Sequence, residues 1–306
     1  MAYNVNALTD YVNEQKLPII KSSLMDSKTM SLFSGNIQVG IKHAEALNLM
    51  SVDPKLQDDS VGSSTDGNSD VKFTQRILQV APIAVREFLD PKVLNTKWMN
   101  SQINAGSKDD ALVFEQDLMT EITSKVAIKN EKALWQGDTA SLNDDLNKFN
   151  GFLKVIDAET GTTVVTASTF TSATALGLID MVYSEIPMDI LNQADTAIFM
   201  GWDYFRIYTT ALKNANLFHY GVDAVDGEIV VPGTNIKIYA LNGLNGSKRI
   251  VSGRISNFYI GTDLLDEADT AEAIYLPQIE RVKVKVAFKL GTQIALPEEL
   301  VVLQVA

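Results

Sequence analysis

The chain has no cysteine among its 306 residues, so disulfides, thiolate metal sites and a thiol nucleophile are all excluded. That usage fits synthesis in a reducing cytoplasm. Histidine is nearly as scarce. His43 and His219 stand far apart, with no His or Glu at i+4 to build a zinc-binding helix. No G-x-S-x-G elbow, G-x-x-x-x-G-K-[ST] phosphate loop or G-x-G-x-x-G turn occurs. No apolar run approaches the ~18 residues of a membrane span. The opening MAYNVNALTDYVNEQKLP lacks a basic start followed by an apolar stretch, so no secretory signal is expected. These absences predict a protein that is not an enzyme and holds no cofactor or metal.

Positive charge is also in short supply. Lys and Arg number 26 against 38 Asp and Glu, a formal net charge of −12. A protein that grips phosphates needs a basic surface, because counterion release supplies most of that affinity. The acidic balance therefore argues against a nucleic-acid-binding role, though not against enclosing DNA. Net negative charge also simply favours solubility. The acids gather in three clusters: Asp53, Asp58, Asp59, Asp66 and Asp70; Asp138, Asp144 and Asp145; Asp223, Asp226 and Glu228. Calcium takes several oxygens from one flexible loop. None of the three has the D-x-[DN]-x-[DN]-G spacing, and each reads as solvated loop.

What is present is an ordinary globular composition, 46% hydrophobic and 21% charged, in a chain long enough for a sizeable core. Leu8, Tyr11 and Val12 share a face of a short helix that Pro18 is expected to end. Residues 19–50 show no clean period and read as an extended arm lying on something else. The loop-like stretch 51–70 is flanked by β-branched and apolar runs, which predicts a two-stranded finger. Asp90-Pro91 and Ser107 to Asp110 are helix starts, the second a capping box. A long helix with Phe114, Leu118, Ile122 and Val126 on one face then runs to about Trp135, and Gly137 stops it. Lys125, Lys129 and Lys132 lie toward its C-terminal end, where cations suit the helix dipole.

Beyond residue 150 helices and strands alternate. A helix is expected over 173–186, a strand at 196–200, and a second helix bearing Trp202, Phe205, Tyr208 and Leu212. Short strands follow near 228–231, 235–241, 249–253 and 257–262, and LVVLQV closes the chain. In the clearest strand Val282, Val284, Val286 and Phe288 alternate with Arg281, Lys283, Lys285 and Lys289. That basic face reads either as a contact for nucleic acid or a neighbouring subunit, or as a strand with one face in water. The class is α+β.

Several blocks carry a family likeness by their order and spacing. They are NEKALWQGDTASLND followed by FNGFLKV; TAIFMGWDYFRIYTTALKNANLFHYG; IVVPGTNIKIYAL with RIVSGRISNFYIGTDL; and ERVKVKVAFKLGTQIALPEELVVL. Together they resemble the major capsid proteins of tailed bacteriophages, the HK97-like (Johnson) fold family. The resemblance implies an N-terminal arm at 1–48 and an extended loop at 49–85. It implies a peripheral domain at 86–170 and 270–306, with a spine helix at about 110–135, and an axial domain at 171–269.

The function implied is a head protein whose pentamers and hexamers form an icosahedral shell around packaged dsDNA. An encapsulin-like nanocompartment shell enclosing a cargo enzyme is the alternative. The implied partners are other copies of the chain, a portal, a separate scaffolding protein and a decoration protein. DNA would be enclosed without sequence-specific binding, and no membrane is involved. The place implied is the virion, assembled in the host bacterial cytoplasm. The loop at Asn242, Gly243, Asn245 and Gly246 is the candidate for the capsomer centre. Asp58, Asp59, Lys72 and Arg76 are candidate inter-subunit contacts of the extended loop. Lys55 and Lys72 lie where some relatives carry a crosslinking lysine, but no acceptor asparagine or activating glutamate can be matched.

Overall fold

The computed structural model describes residues 5–25, 27–53, 70–90, 93, 112–215, 226–263 and 270–306. The chain opens with three helices, α1 (Val5–Glu14), α2 (Lys16–Met25) and α3 (Lys28–Leu32). Leu8 and Val12 are buried, as the spacing predicts. Pro18 does not end a helix, contrary to expectation. It sits in the first turn of α2, where the backbone N–H it lacks would have no acceptor. Ser27 starts α3 by accepting a 3.2 Å hydrogen bond from the Met30 N–H.

The arm is thus helical over most of 16–32, and it packs on its own subunit. Ile19, Ile20, Leu24, Met30 and Phe33 are buried, and Asn130 Nδ2 donates to the Ser23 carbonyl at 3.1 Å. The extended arm expected over 19–50 is corrected here for its first half. Short helices bury residues against several partners at once, so no single-face period survives in the sequence.

Among the described residues thirteen strands, in chain order, form three sheets. They are β1 (Ile37–Gln38), β2 (Ala44–Asp53), β3 (Asp70–Gln79), β4 (Ala81–Leu89), β5 (Thr163–Ala167), β6 (Thr196–Met200), β7 (Glu228–Val230), β8 (Lys237–Ala240), β9 (Arg249–Arg254), β10 (Phe258–Thr262), β11 (Thr270–Leu276), β12 (Arg281–Ile294) and β13 (Val301–Val305). The further helices with described bounds are α4 (Leu112–Gln136), α5 (Phe152–Ala158), α6 (Ala175–Glu185), α7 (Met188–Leu191) and α8 (Trp202–Asn214). The helix starts expected at Asp90-Pro91 and Ser107 lie outside the described residues.

The spine helix α4 has 25 described residues, a length of about 37 Å at 1.5 Å per residue. Gly137 ends it where a Cβ would sit 2.5 Å from the Ala133 carbonyl oxygen. The five-stranded sheet orders β1-β10-β12-β11, with β4 on the other edge of β12. Val282, Val284, Val286 and Phe288 bury one face of β12, as the alternation predicts. The six-stranded sheet orders β5-β13-β9-β6-β8-β7. It packs on α6 and α8 through Ile179, Val182, Phe205, Tyr208 and Leu212. The closing strand β13 pairs with β9 and β5 in this second sheet.

β2 and β3 form the expected finger, antiparallel from Ala44↔Gln79 to Asp53↔Asp70. Its root rests on two glycines that face each other across β10 and β12, Gly261↔Gly291. A Cβ on Gly291 would collide with the Gln79 carbonyl oxygen, and one on Gly261 would lie 2.7 Å from Val80. The chain therefore crosses the sheet at the only kind of residue that leaves room.

The two sheets, the arm and the spine meet in one aromatic cluster. Phe33 stacks on Phe258 at 5.0 Å between centroids, and meets Phe199 edge-on at 5.6 Å and Phe152 edge-on at 5.7 Å. Trp135 lies 5.2 Å from Phe152 and 5.8 Å from Phe199. Replacing Phe33 by Ala should cost about 3–5 kcal/mol, the range for deleting a buried aromatic ring. Urea unfolding measures this. A loss below ~1 kcal/mol would show that the arm is not part of the joint.

Candidate assembly surfaces

Few of the chemical groups singled out in the sequence converge. Among the described residues no group of three His, Asp or Glu side chains could hold a metal ion. His43 is exposed, and His219 lies outside the described residues, as do Asp58, Asp59, Asp66 and Asp223. Asp138 accepts hydrogen bonds from the Ala140 N–H at 2.9 Å and from Lys154 Nζ at 3.0 Å. These hold its carboxyl below the usual carboxylate range, the Ala140 amide most of all. Asp145 pairs with Lys129 at 3.1 Å. The second acidic cluster thus braces its own loop. In the third, Asp226 adopts a left-handed φ of 51° beside Gly227, and Glu228 faces Lys28 at 3.9 Å. A groove of about 770 Å³ beside them is lined by Trp202, Asp203, Phe205, Arg206, Asp226 and Asn245, without a nucleophile–base pair.

The finger is more informative. Directly opposed residues share a face of an antiparallel pair. Met50 lies across from Phe73, and Ala46 across from Ile77. Phe73 is 76% exposed, Met50 65% and Ile77 63%. One side of the ribbon therefore shows large apolar side chains to solvent. The other side carries Arg76, in an ion pair with Glu159 near the root, and Lys72, which is exposed near the tip. Arg76 is thus engaged within its own chain.

The basic residues of β12 lie on the outer face of the five-stranded sheet, opposite the buried valines. Lys285 pairs with Glu272 of β11 at 3.5 Å, and Lys289 is held by Asp263 and donates to the Lys42 carbonyl at 3.0 Å. Arg281 and Lys283 have no ion pair among the described residues. The sequence missed Arg86, which the register places opposite Lys285 on the same face. Only the pairing of β4 with β12 could have found it.

The loop 242–246 is bound to the end of the spine. Gly243 is buried where a Cβ would strike the Trp135 ring, and Gln136 Nε2 donates to the Gly243 and Asn245 carbonyls at 2.6 and 2.9 Å. The Asn245 side chain accepts from the Trp202 N–H at 2.6 Å, and the Gly246 N–H donates to Asp203 at 3.0 Å. Beneath the loop sits Glu131, 3% exposed. It accepts from the Asn242 N–H at 3.1 Å and from the Thr29 hydroxyl at 3.2 Å, while that hydroxyl accepts from Trp135 Nε1 at 3.0 Å. One carboxylate therefore ties arm, spine and loop together.

No family model and no curated protein sequence matches the chain. Solved structures do. A chain of the satellite phage P4 procapsid, in a structure that includes the size determination (Sid) protein, is 11% identical. It superposes with a TM-score of 0.63 over 95% of this chain and 98% of its own. A chain of the capsid of an empty GTA particle is 14% identical, with a TM-score of 0.56 over 91% and 90%. One from the capsid of the Myoviridae phage XM1 is 10% identical, with a TM-score of 0.55 over 92% and 92%. The chain has the phage capsid fold.

Within that capsid fold the Glu131 junction has a consequence for stability. Burial pushes the Glu131 carboxyl above its ordinary value, against the hydrogen bonds from Gly243, Thr29 and Asn242 and the nearby Lys28 charge. The folded state thus binds this proton more tightly than the unfolded state does. The stability it contributes is complete below the unfolded value and is lost as pH rises through the folded one. Glu131→Gln, neutral throughout, should gain on wild type across that rise and differ little below pH ~4. Urea unfolding at a series of pH values measures the difference. Parallel pH profiles for the two proteins would contradict the assignment.

Proposed function

We propose that the chain is the major capsid protein of a tailed bacteriophage, self-assembling into pentamers and hexamers of an icosahedral shell around packaged dsDNA. The observation that carries this is the apolar finger on a capsid fold. Met50, Phe73 and Ile77 stand in water along a ribbon that leaves the body, and no described residue of the same chain covers them. A lone two-stranded ribbon is marginal in water, and exposed apolar faces of this kind mark contacts with other chains.

The division into arm (1–48), extended loop (49–85), peripheral (86–170 and 270–306) and axial (171–269) parts belongs to this reading, with 301–305 joined to the axial sheet by its pairing. In the loop 242–246, Asn242 and Gly246 keep exposed surface, and these two are proposed to face neighbouring subunits at the capsomer centre. Of the extended-loop residues, Lys72 is offered as a contact together with Asp58 and Asp59, whereas Arg76 serves the root. The partners are further copies, a portal, a separate scaffolding protein and a decoration protein. The DNA is enclosed without being read. Assembly takes place in the host cytoplasm, the product is the virion shell, and no catalytic step is assigned to the chain.

Electron microscopy and sedimentation of the protein, alone and with its neighbouring genes, test the reading. Closed particles or isolated capsomers are expected, with DNA inside particles from infected cells. A protein cargo in place of DNA would point to the encapsulin-like alternative, and a monomer under every condition would end both. Phe73→Asp should leave unfolding within about 0.5 kcal/mol of wild type, as for other exposed sites, yet reduce particle yield tenfold or more. Wild-type yields from that variant would remove the finger from the interface.

A further inference from the structure

Two segments far apart in sequence share one acceptor. Thr29 of the arm and Asn242 of the loop both donate to the same oxygen, Glu131 Oε1, the hydroxyl at 3.2 Å and the backbone N–H at 3.1 Å. Trp135, one turn further along the spine, touches both as well. Its Nε1 donates to the Thr29 hydroxyl at 3.0 Å, and its ring lies 2.3 Å from where a Cβ on Gly243 would sit. No gap separates ring and backbone, and a packed interior answers displacement by switching between arrangements rather than by stretching. When the Thr29 hydroxyl withdraws, Trp135 loses its acceptor, and any turn of the ring toward the loop displaces Gly243. The seat of the arm and the loop are therefore joined twice, through a carboxylate and through a ring.

Arm and loop together shut Glu131 away from water. The charged group that acts on it is Lys28 of α3. That ammonium is shared, for it donates to the Asp226 carbonyl and lies 3.9 Å from Glu228, above the Tyr239 ring. The other elements packed on the spine meet it without charge. α2 does so through the Ser23 carbonyl and the Asn130 amide, α5 through the Phe152 ring against Trp135, and the loop through the Asn242 and Gly243 amides. α1 lies beside Met119, about three turns away. On the spine itself Lys129 turns outward to Asp145, and Lys132 is exposed. Burial outweighs the donors and Lys28, so the carboxyl holds its proton more firmly than a solvated glutamate does. Losing that proton leaves a charge that only an opening can hydrate, and lifting α3 or the loop supplies one.

We propose that Glu131 is a proton-governed switch that couples the seat of the arm to the loop 242–246, so that the two open together as the carboxyl ionises. The coupling is internal to one subunit and goes beyond the shell reading, since it holds whatever the copies build. The sign follows from the raised value: the closed joint is fully stable below the ordinary glutamate value of about 4.3 and weakens as pH rises through the folded one. In a capsomer it would make any contact of this loop with a neighbour depend on an arm seated in the same subunit.

Amide hydrogen exchange of the full chain, read by mass spectrometry and corrected for intrinsic base catalysis, tests it. Protection in peptides spanning 27–33 and 242–247 should fall together, about tenfold or more, as pH rises from ~4 to ~8. Glu131→Gln, neutral throughout, should hold both flat. Lys28→Gln removes the cation that favours the ionised form and should deepen the fall in both. Coupling between two sites is reciprocal, so each should report on the other. At pH ~6, Thr29→Val should lower protection of 242–247, and Gln136→Ala, which frees the Gly243 and Asn245 carbonyls, should lower that of 27–33, each about fivefold or more. Peptides of β12 report on the rest of the fold and should stay as in wild type. Parallel pH profiles in wild type and Glu131→Gln would overturn the proposal. So would Thr29→Val effects confined to the arm, or losses shared equally by β12, which would be global unfolding. None of these measurements needs particles, so a failure of the shell reading leaves the test intact.

Discussion

The packing of Phe33 against Trp135, Phe152, Phe199 and Phe258 is the constraint on which the rest of the structure depends. Each ring comes from a different segment: the arm, the spine, α5, the six-stranded sheet and the five-stranded sheet. Apolar burial has no direction of its own, so a cluster of rings could tolerate several arrangements. Here the polar groups around it choose one. Trp135 Nε1 reaches Thr29 and Thr29 reaches Glu131, so the arm can seat Phe33 in the cluster only when the hydroxyl also meets its partners. A buried carboxylate adds little net stability, but an unmet one is expensive, and that asymmetry selects the single geometry.

A joint fixed in this way gives the finger its direction. The five-stranded sheet is held by its valine face against the arm helices, and its far end presents Gly261 and Gly291 as a trough for Gln79 and Val80. Ile41, Leu78 and Val80 make a small core at that crossing. Beyond it the ribbon has hydrogen bonds between its two strands and apolar side chains on one face, and nothing described supports it from below. A rigid root thus carries a shaft that no other described residue of the chain supports.

How much of this was legible in the sequence depends on the range of the forces involved. The alternation of Val282, Val284, Val286 and Phe288 is local, and it located β12 and its two faces without any structure. The finger was legible because two apolar runs bracket a stretch that cannot bury itself. The spine was legible from its four-residue steps and from Gly137. The period in the arm is lost because its short helices pack against both the spine and β11, and no single face is buried. Pro18 was misread because a proline gives the same local signal at the end of one helix and in the first turn of the next. The partner of β13 depends on a pairing across about fifty residues, which no local pattern encodes. Likewise Glu131 looks in sequence like any solvated residue of a helix, and only the arrival of Thr29 and Asn242 makes it a buried junction.

The same contrast of range governs the charges. A net charge of −12 spread evenly would say only that the chain is soluble. Part of the positive charge is in fact gathered on one sheet face, where Arg86, Arg281, Lys283, Lys285 and Lys289 lie in register. Exposed ion pairs contribute at most about 1 kcal/mol each, too little to hold two subunits together. Their value in a symmetric assembly is different. Every copy repeats the contact, and apposing the wrong ends places like charges together. In the proposed assembly a weak attraction of this kind would select the register in which the apolar face of Met50, Phe73 and Ile77 meets its neighbour. On this reading the apolar face supplies the affinity and the charges decide which neighbour receives it.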